Sequence, residues 1–354
     1  MTRFHLPSLP GLIRGAVSTL ALTATLTHAA DVLHIYSARH YPSDEQLYQG
    51  FTQKTGIEIK RVDADDAGIL ARLKAEGKNS PADVILLVDA SRLWKADQDG
   101  LFAPIRSTVL EQAIPAGLRA PATPAGETSW FGFSTRARVV VFNKQKYTPK
   151  DLADYRQLGA PRFKGQLCIR SGSHPYNLSW LGSMMEHEGV DATEAWLKSV
   201  LANLARKPKG GDTDQIRAVA SGECGIAVTN SYYLARLLAS SKPEDLLVQE
   251  HVGVVFPNQQ SWGTHINIAG GAMAKFAKNR AAATRFLEYL ATPEAQAHFA
   301  NGNNEWPVVA GTAFDNRALK AMAPQGFKAD PMPVNRIGPN QIKVQLMLDR
   351  LGFN

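Results

Sequence analysis

The sequence predicts an α/β protein of two domains, each built on an open mixed sheet flanked by helices. Three observations predict it. The 354 residues amount to about 2.4 typical domain lengths, enough to bury two cores. Short β-rich runs alternate with helical patterns through the first hundred residues, the order that makes βαβ units. One of those runs, Asp83–Val88 (DVILLV), is continuously apolar, as in a strand covered on both faces of a parallel sheet.

The first segment stands outside that fold. Arg3 and Arg14 supply a positive region, residues 16–27 an uncharged apolar stretch, and Thr27–Ala30 (THAA) a small-residue end. Residues 1–30 therefore read as an export signal cleaved after Ala29 or Ala30, the alternative being a buried N-terminal helix. Asp31–Ser37 (DVLHIYS) opens the fold as a strand. Leu47, Gly50, Phe51 and Lys54 recur at helical spacing, predicting a helix over 44–55 with Ser43 as its N-cap. Ile57–Val62 is a strand, 67–75 a helix, 83–88 a strand and 91–97 a helix. Trp130–Phe133, Val139–Asn143 (VVVFN) and Gly165–Ser171 (GQLCIRS) follow as strands. Helices are predicted near 177–187, 191–204 and 212–221, a strand at Gly225–Thr229 (GIAVT) and a helix at 231–240. Residues 251–256 are extended, 266–274 form an apolar strand, and a helix over 278–291 ends before Pro293. The expected lobes are 31–130 with 262–305, and 131–261 with 306–354. The crossings fall near 127–136 and 255–265, with Gly132 and Gly263 as hinge residues.

Composition excludes several classes. With 44% apolar and 20% charged residues the chain is globular rather than disordered. No apolar stretch reaches the length of a spanning helix, so the mature protein of about 325 residues is expected to be soluble and periplasmic. Removing Arg3 and Arg14 takes the net charge from +7 to +5, without a basic block interleaved with aromatics, which argues against a nucleic-acid partner. Two cysteines exclude a Cys-rich zinc or iron–sulfur site. In an exported chain they favour one disulfide, Cys168–Cys224, closing a loop of about 56 residues worth roughly 3–4 kcal/mol in loop-closure entropy. The alternative is a redox or catalytic cysteine, but no C-x-x-C pair exists.

An exported two-domain α/β chain of this size fits the binding component of an ABC importer, whose lobes close on a solute. That analogy names no ligand. The ligand is expected where open sheets place their sites, in loops at the C-terminal ends of strands. Those loops read Ser37-Ala38-Arg39-His40-Tyr41, Ser171-Gly172-Ser173-His174-Pro175-Tyr176-Asn177, and Asn230-Ser231-Tyr232-Tyr233-Leu234. Three strand ends thus present four tyrosines and two histidines. A phenol with pKa near 10 is a poor ligand for divalent metals at neutral pH. Iron(III), small and highly charged, can displace its proton, as metals do from thiols and water. Zinc would want His and Cys, calcium carboxylates and carbonyls, and none of these loops holds an Asp or Glu next to its Tyr. A tyrosine taken alone is more often half-buried packing.

The segments YSARHY (36–41), TRARVVVFNK (135–144), LCIRSGSHPYNLS (167–179), GEC (222–224) and NSYYLARL (230–237) carry a family resemblance. The sequence resembles the periplasmic ferric-ion-binding proteins of bacterial iron ABC importers, of the tyrosine-rich type that includes cyanobacterial and Campylobacter proteins. The resemblance spans the mature chain, firmly to about Gly311 and more loosely to Asn354. It implies that Tyr41, Tyr176, Tyr232 and Tyr233 are phenolate ligands of Fe(III), with His40 as a fifth, and it too suggests the Cys168–Cys224 bridge. Another branch of that family uses a glutamate ligand and a bound anion; no such glutamate is assignable here. A non-catalytic, monomeric carrier delivering ferric ion to an inner-membrane permease follows.

Adjacent tyrosines in a regular helix point about 100° apart, so Tyr232 and Tyr233 are expected to converge only at an irregular strand-to-helix junction, capped by Asn230 or Ser231. Packing of Tyr233 with Leu234 and Leu237 is the alternative. His40 suits either direct ligation or a hydrogen bond to a phenolate, and His174 a position behind the ligands or in solvent. Arg39, Arg136 and Arg138 are candidates to offset phenolate charge or, with Ser173, to hold a carbonate or similar anion. Three rival readings remain. The first is an oxyanion or small organic solute binder with the tyrosines as packing. The second is a Ser–His hydrolase using His174 or His265, for which no G-x-S-x-G elbow or H-E-x-x-H exists. The third is a two-His-one-carboxylate iron enzyme, for which these loops lack acids.

Overall fold

A computed structural model describes residues 1–5, 31–39 and 41–353. The expected export signal lies largely, and His40 wholly, outside the described residues. Among these residues no helix is long and apolar enough to cross a membrane.

The first half of the fold is the predicted alternation. Strand β1 (Val32–Ser37) leads to helix α1 (Asp44–Thr55), β2 (Glu58–Asp63), α2 (Asp66–Glu76), β3 (Val84–Leu87), α3 (Ala90–Gln98) and a short α4 (Thr108–Ala113). β1 lies between β2 and β3, parallel to both, as right-handed βαβ crossovers require. β3 is buried along its whole length, which is why its sequence shows no polar alternation. Side chains alternate across the sheet with period two. Leu33, Ile35, Val84 and Leu86 face one cluster with Phe51 and Phe286, while Tyr36, Ile85 and Leu87 face another with Ile69, Leu93 and Trp130. Ser43 does not cap α1 through its side chain; its hydroxyl donates instead to Asn303 Oδ1 at 2.7 Å.

The second half hangs on one long strand. The two short strands expected at 130–133 and 139–143 are a single strand, β4 (Phe131–Asn143), buried throughout. It is followed by β5 (Leu167–Cys168), α5 (Pro175–Glu188), α6 (Val190–Ala202), α7 (Asp212–Ala220), β6 (Ile226–Asn230), α8 (Ser231–Leu238), α9 (Pro243–His251), β7 (Val252–Val255) and β8 (Ile266–Met273). β4 belongs to two ladders. Its first part pairs antiparallel with β8 up to Ala137, and its second part pairs with β6 and β7 from Arg138 or Val140 onward. The strand order β2-β1-β3-β8-β4-β6-β5 runs through it. The polar STRAR interruption at 134–138 breaks the apolar pattern without breaking the strand. Ser134, Arg136 and Arg138 are buried there and bonded to other side chains. β5 is also far shorter than the predicted 165–171.

α10 (Arg280–Leu290) ends before Pro293 as predicted. Beyond the reach of the sequence reading come α11 (Pro293–Asn303), with Pro293 at its first turn and Thr292 capping Ala295 N–H, then β9 (Trp306–Pro307), α12 (Arg317–Met322) and α13 (Gln341–Leu351). Val344, Met347 and Leu348 of α13 pack with β4–β6 side chains. Val334 and Ile337, just upstream, pack with Leu93 and Trp130 of the first half. Cys168 and Cys224 form a disulfide with Cα atoms 5.9 Å apart, tying β5 to the approach of β6. Gly132 is required by close packing: a Cβ there would sit 2.7 Å from the Leu118 carbonyl oxygen.

Candidate metal centre

Tyr41 lies four residues beyond the end of β1. Its hydroxyl donates to Glu305 Oε1 at 3.0 Å, and the Arg39 guanidinium carbon lies 5.1 Å from its ring centre. Arg39 is itself fixed by Asp44 (Nε–Oδ2 2.6 Å) and stands 3.6 Å from Glu305. Burial pushes the Asp44 carboxyl up, but Arg39 outweighs this and holds it well below the usual range.

Tyr176 sits in the first turn of α5, after Pro175. His174 caps that helix, its Nδ1 accepting the Tyr176 N–H at 3.3 Å, and its ring meets the Tyr176 ring edge-on at 4.4 Å. Burial, then the Arg170 charge, lowers His174 to about 3, so it is a neutral cap rather than a free group in solvent. Tyr232 and Tyr233 occupy the first turn of α8, which starts directly where β6 ends. The junction is the expected one, but α8 is helical from Ser231 onward. The two rings converge through their side-chain torsions, with centroids 4.1 Å apart and planes tilted 30°. Neither predicted cap acts through its side chain on α8. Asn230 Oδ1 accepts from Arg138, and Ser231 Oγ accepts the Ala137 N–H.

The four tyrosines meet. The Tyr176 and Tyr232 hydroxyls are 3.0 Å apart, and the Tyr41 ring approaches Tyr232 edge-on at 6.0 Å. Tyr232 is buried, and Tyr233 is half-buried against the cluster containing Leu234 and Leu237. Burial raises the phenols of Tyr41, Tyr176 and Tyr232 above their ordinary pKa. Glu305 adds to this at Tyr41, Tyr233 adds at Tyr176, and Tyr176 adds at Tyr232. Arg136 opposes the rise at all three. Its side chain is 2% exposed, and among the described residues its Nε and Nη2 have no hydrogen-bond partner. Burial pulls the Arg136 pKa down, but Glu305 and the three phenols outweigh this and hold it above the ordinary guanidinium value. A cleft of about 640 Å³ opens onto this group, lined among others by Tyr41, Asp44, Asp66, Asp89, Tyr176 and Tyr233.

Two of the predicted anion contacts are placed otherwise. Arg138 is buried and bonded to Asp212 (2.8 Å), Asn230 (3.2 Å) and Asn177 (2.7 Å), where it joins α7, β6 and α5. Ser173 is exposed, its hydroxyl 2.9 Å from Ser171 Oγ. Glu305 was missed because it is 264 residues from its tyrosine and no local motif marks it. The three loops indeed hold no acid next to their tyrosines; Glu305 comes to Tyr41 from a distant segment. Among the described residues no group of three or more His, Cys, Asp or Glu side chains forms a metal-sized cluster.

A family profile described as bacterial extracellular solute-binding protein matches residues 46–327. The chain belongs to that family. Iron uptake protein A1 of Synechocystis is 42% identical over 322 residues, 91% of this chain and 87% of the other. A Trichodesmium protein (IdiA, FutA) solved in complex with iron and citrate superposes with a TM-score of 0.86 at 46% identity, over 91% of this chain and 100% of that one. The ferric binding protein of Campylobacter jejuni gives 0.84 at 39%, again over 91% and 100%. The resemblance carried by the tyrosine-bearing segments is therefore borne out over about nine-tenths of the chain, and the fold is the two-lobe binding-protein fold.

Proposed function

We propose that this protein is the ferric-ion carrier of an iron ABC importer. It takes up Fe(III) in the periplasm as a monomer, catalyses no reaction, and hands the ion to an inner-membrane permease. The observation that carries this reading is the convergence of four phenols from three strand ends, with two hydroxyls 3.0 Å apart. Relatives named for iron uptake and ferric binding support it. Tyr41, Tyr176, Tyr232 and Tyr233 supply oxygens, and His40 is the fifth ligand. Because burial holds protons on the phenols of Tyr41, Tyr176 and Tyr232, only a cation of high charge displaces them. Each bound phenolate releases a proton, so affinity falls as pH falls. Residues 31–130 with 262–305 and 131–261 with 306–354 act as lobes that close over the ion, flexing near Gly132 and Gly263. Arg136, with two nitrogens that have no partner among the described residues, suits a carbonate or similar anion completing the shell.

Titrating the purified protein with ferric citrate tests this. A visible phenolate-to-iron charge-transfer band is expected to grow to one equivalent and to weaken in Tyr176→Phe and Tyr41→Phe. A protein that stays colourless and iron-free overturns the reading. The two Arg136 nitrogens without a partner among the described residues favour one alternative, an oxyanion or small organic solute. That reading predicts a colourless complex that survives Tyr→Phe exchange.

A further inference from the structure

Glu305 is placed by the end of α11. Asn304 takes a left-handed conformation (φ 60°) as its C-cap, the Glu305 N–H bonds back to Phe299 O at 3.0 Å, and the side chain turns into the site. There it is fully buried. Oε1 accepts from Tyr41 at 3.0 Å and from Arg136 at 3.4 Å, and Oε2 accepts from Ser134 at 2.6 Å with Arg39 3.6 Å away. A packing role needs no charge here, and a buried carboxylate is costly to keep unless its charge is used or paired.

Its effect is to cancel cations. Arg39 is matched by Asp44 and Arg136 by Glu305, while Arg138 and Arg170 share Asp212 deeper in the fold. The guanidiniums nearest Tyr41 therefore leave little free positive charge to balance phenolates. With a phenolate–metal bond of ~2 Å, an ion on Tyr41 lies within about 5 Å of Glu305 Oε1.

We infer that Glu305 is a specificity-determining residue, whose fixed negative charge beside Tyr41 favours a trivalent over a divalent ion in the same tyrosine cage. The inference rests on the tyrosine-cage reading of the site. With identical phenolates, the divalent complex carries one more negative charge than the trivalent one, and Glu305 repels it more. One elementary charge at ~5 Å is worth well over tenfold at an effective dielectric near 20, and several-fold even in water, so about a tenfold effect is expected.

The test uses the full mature chain as wild type, Glu305→Gln and Glu305→Asp. Dissociation constants for Ga(III) and Mn(II) are measured by chelator competition, read from tyrosinate ultraviolet absorbance, together with the reduction potential of the iron-loaded protein. In Glu305→Gln the Ga(III)-over-Mn(II) preference should fall about tenfold and the potential should rise. Glu305→Asp keeps the charge and should stay near wild type. A folded Glu305→Gln with wild-type preference and potential, or a Glu305→Asp that shifts as far, overturns the inference. Should Glu305→Gln not fold, Arg136→Gln removes the opposing charge and must raise the preference; an unchanged value overturns it equally. Wild type that binds Ga(III) without forming tyrosinate sinks the cage reading itself.

Discussion

On one side of the cleft Tyr41 is held by charged neighbours, Glu305 on its hydroxyl and Arg39 over its ring. On the other side Tyr176, Tyr232 and Tyr233 hold one another, hydroxyl to hydroxyl and ring to ring, with Arg170 5.1 Å from the Tyr176 ring centre and Arg236 5.2 Å from that of Tyr233, while beneath them Arg138 and Asp212 bind α5, α7 and β6 together. The same side chain is thus positioned in two ways. Tyr41 carries a carboxylate on its hydroxyl and meets Tyr232 edge-on, and the other three form a packed unit set by the fold beneath them. Losing one member should disturb its partners on the second side but not on the first.

The sharpest way to break that comparison is the double exchange Tyr176→Phe, Tyr232→Phe. Ferric affinity should fall far beyond the 10–100-fold typical of an outer partner, with the charge-transfer band nearly abolished. The two single losses should not add, because each leaves the other hydroxyl without its partner. Asp212→Ala should cost about 3–5 kcal/mol in urea denaturation, since it strands buried Arg138 and frees the Asn230 N–H that leads into α8. Removing the bridge with Cys168→Ser and Cys224→Ser should cost roughly 3–4 kcal/mol in the same assay while leaving Tyr41's contribution to the band intact. Tyr41→Phe should lose more than about 100-fold in affinity, beyond an outer partner's loss, with no measurable change in melting of the second side, in keeping with a ligand held from outside the packed unit.

The smallest effect is on pH dependence. Tyr41, Tyr176 and Tyr232 have pKa values raised by burial, so without metal they keep their protons through the neutral range. On the proposed reading, metal binding should expel those protons, so raising pH should strengthen binding. The slope of log affinity against pH should drop by about one in Tyr41→Phe and by about two in the double variant. Equal slopes would mean that the phenols bind without deprotonating.

Much of this was legible in the chain. Apolar runs such as DVILLV announced buried strands, and the short polar loops after GIAVT and GQLCIR announced where tyrosines would be delivered. The number and compartment of the cysteines announced their bridge. What was not legible has one character. β4 reads as two strands because Ser134, Arg136 and Arg138 look like a polar break, yet they are buried on partners 74–171 residues away. Arg138 looks available for an anion until Asp212 is seen beside it. Glu305 sits in an unremarkable NNEWP stretch.

The sequence by itself determined which residue types stand at the ends of which strands, because period and turn chemistry are local. Only the tertiary structure decided which charges neutralise which, since Coulomb energies in a buried site depend on ångströms between segments hundreds of residues apart and leave no trace in spacing along the chain.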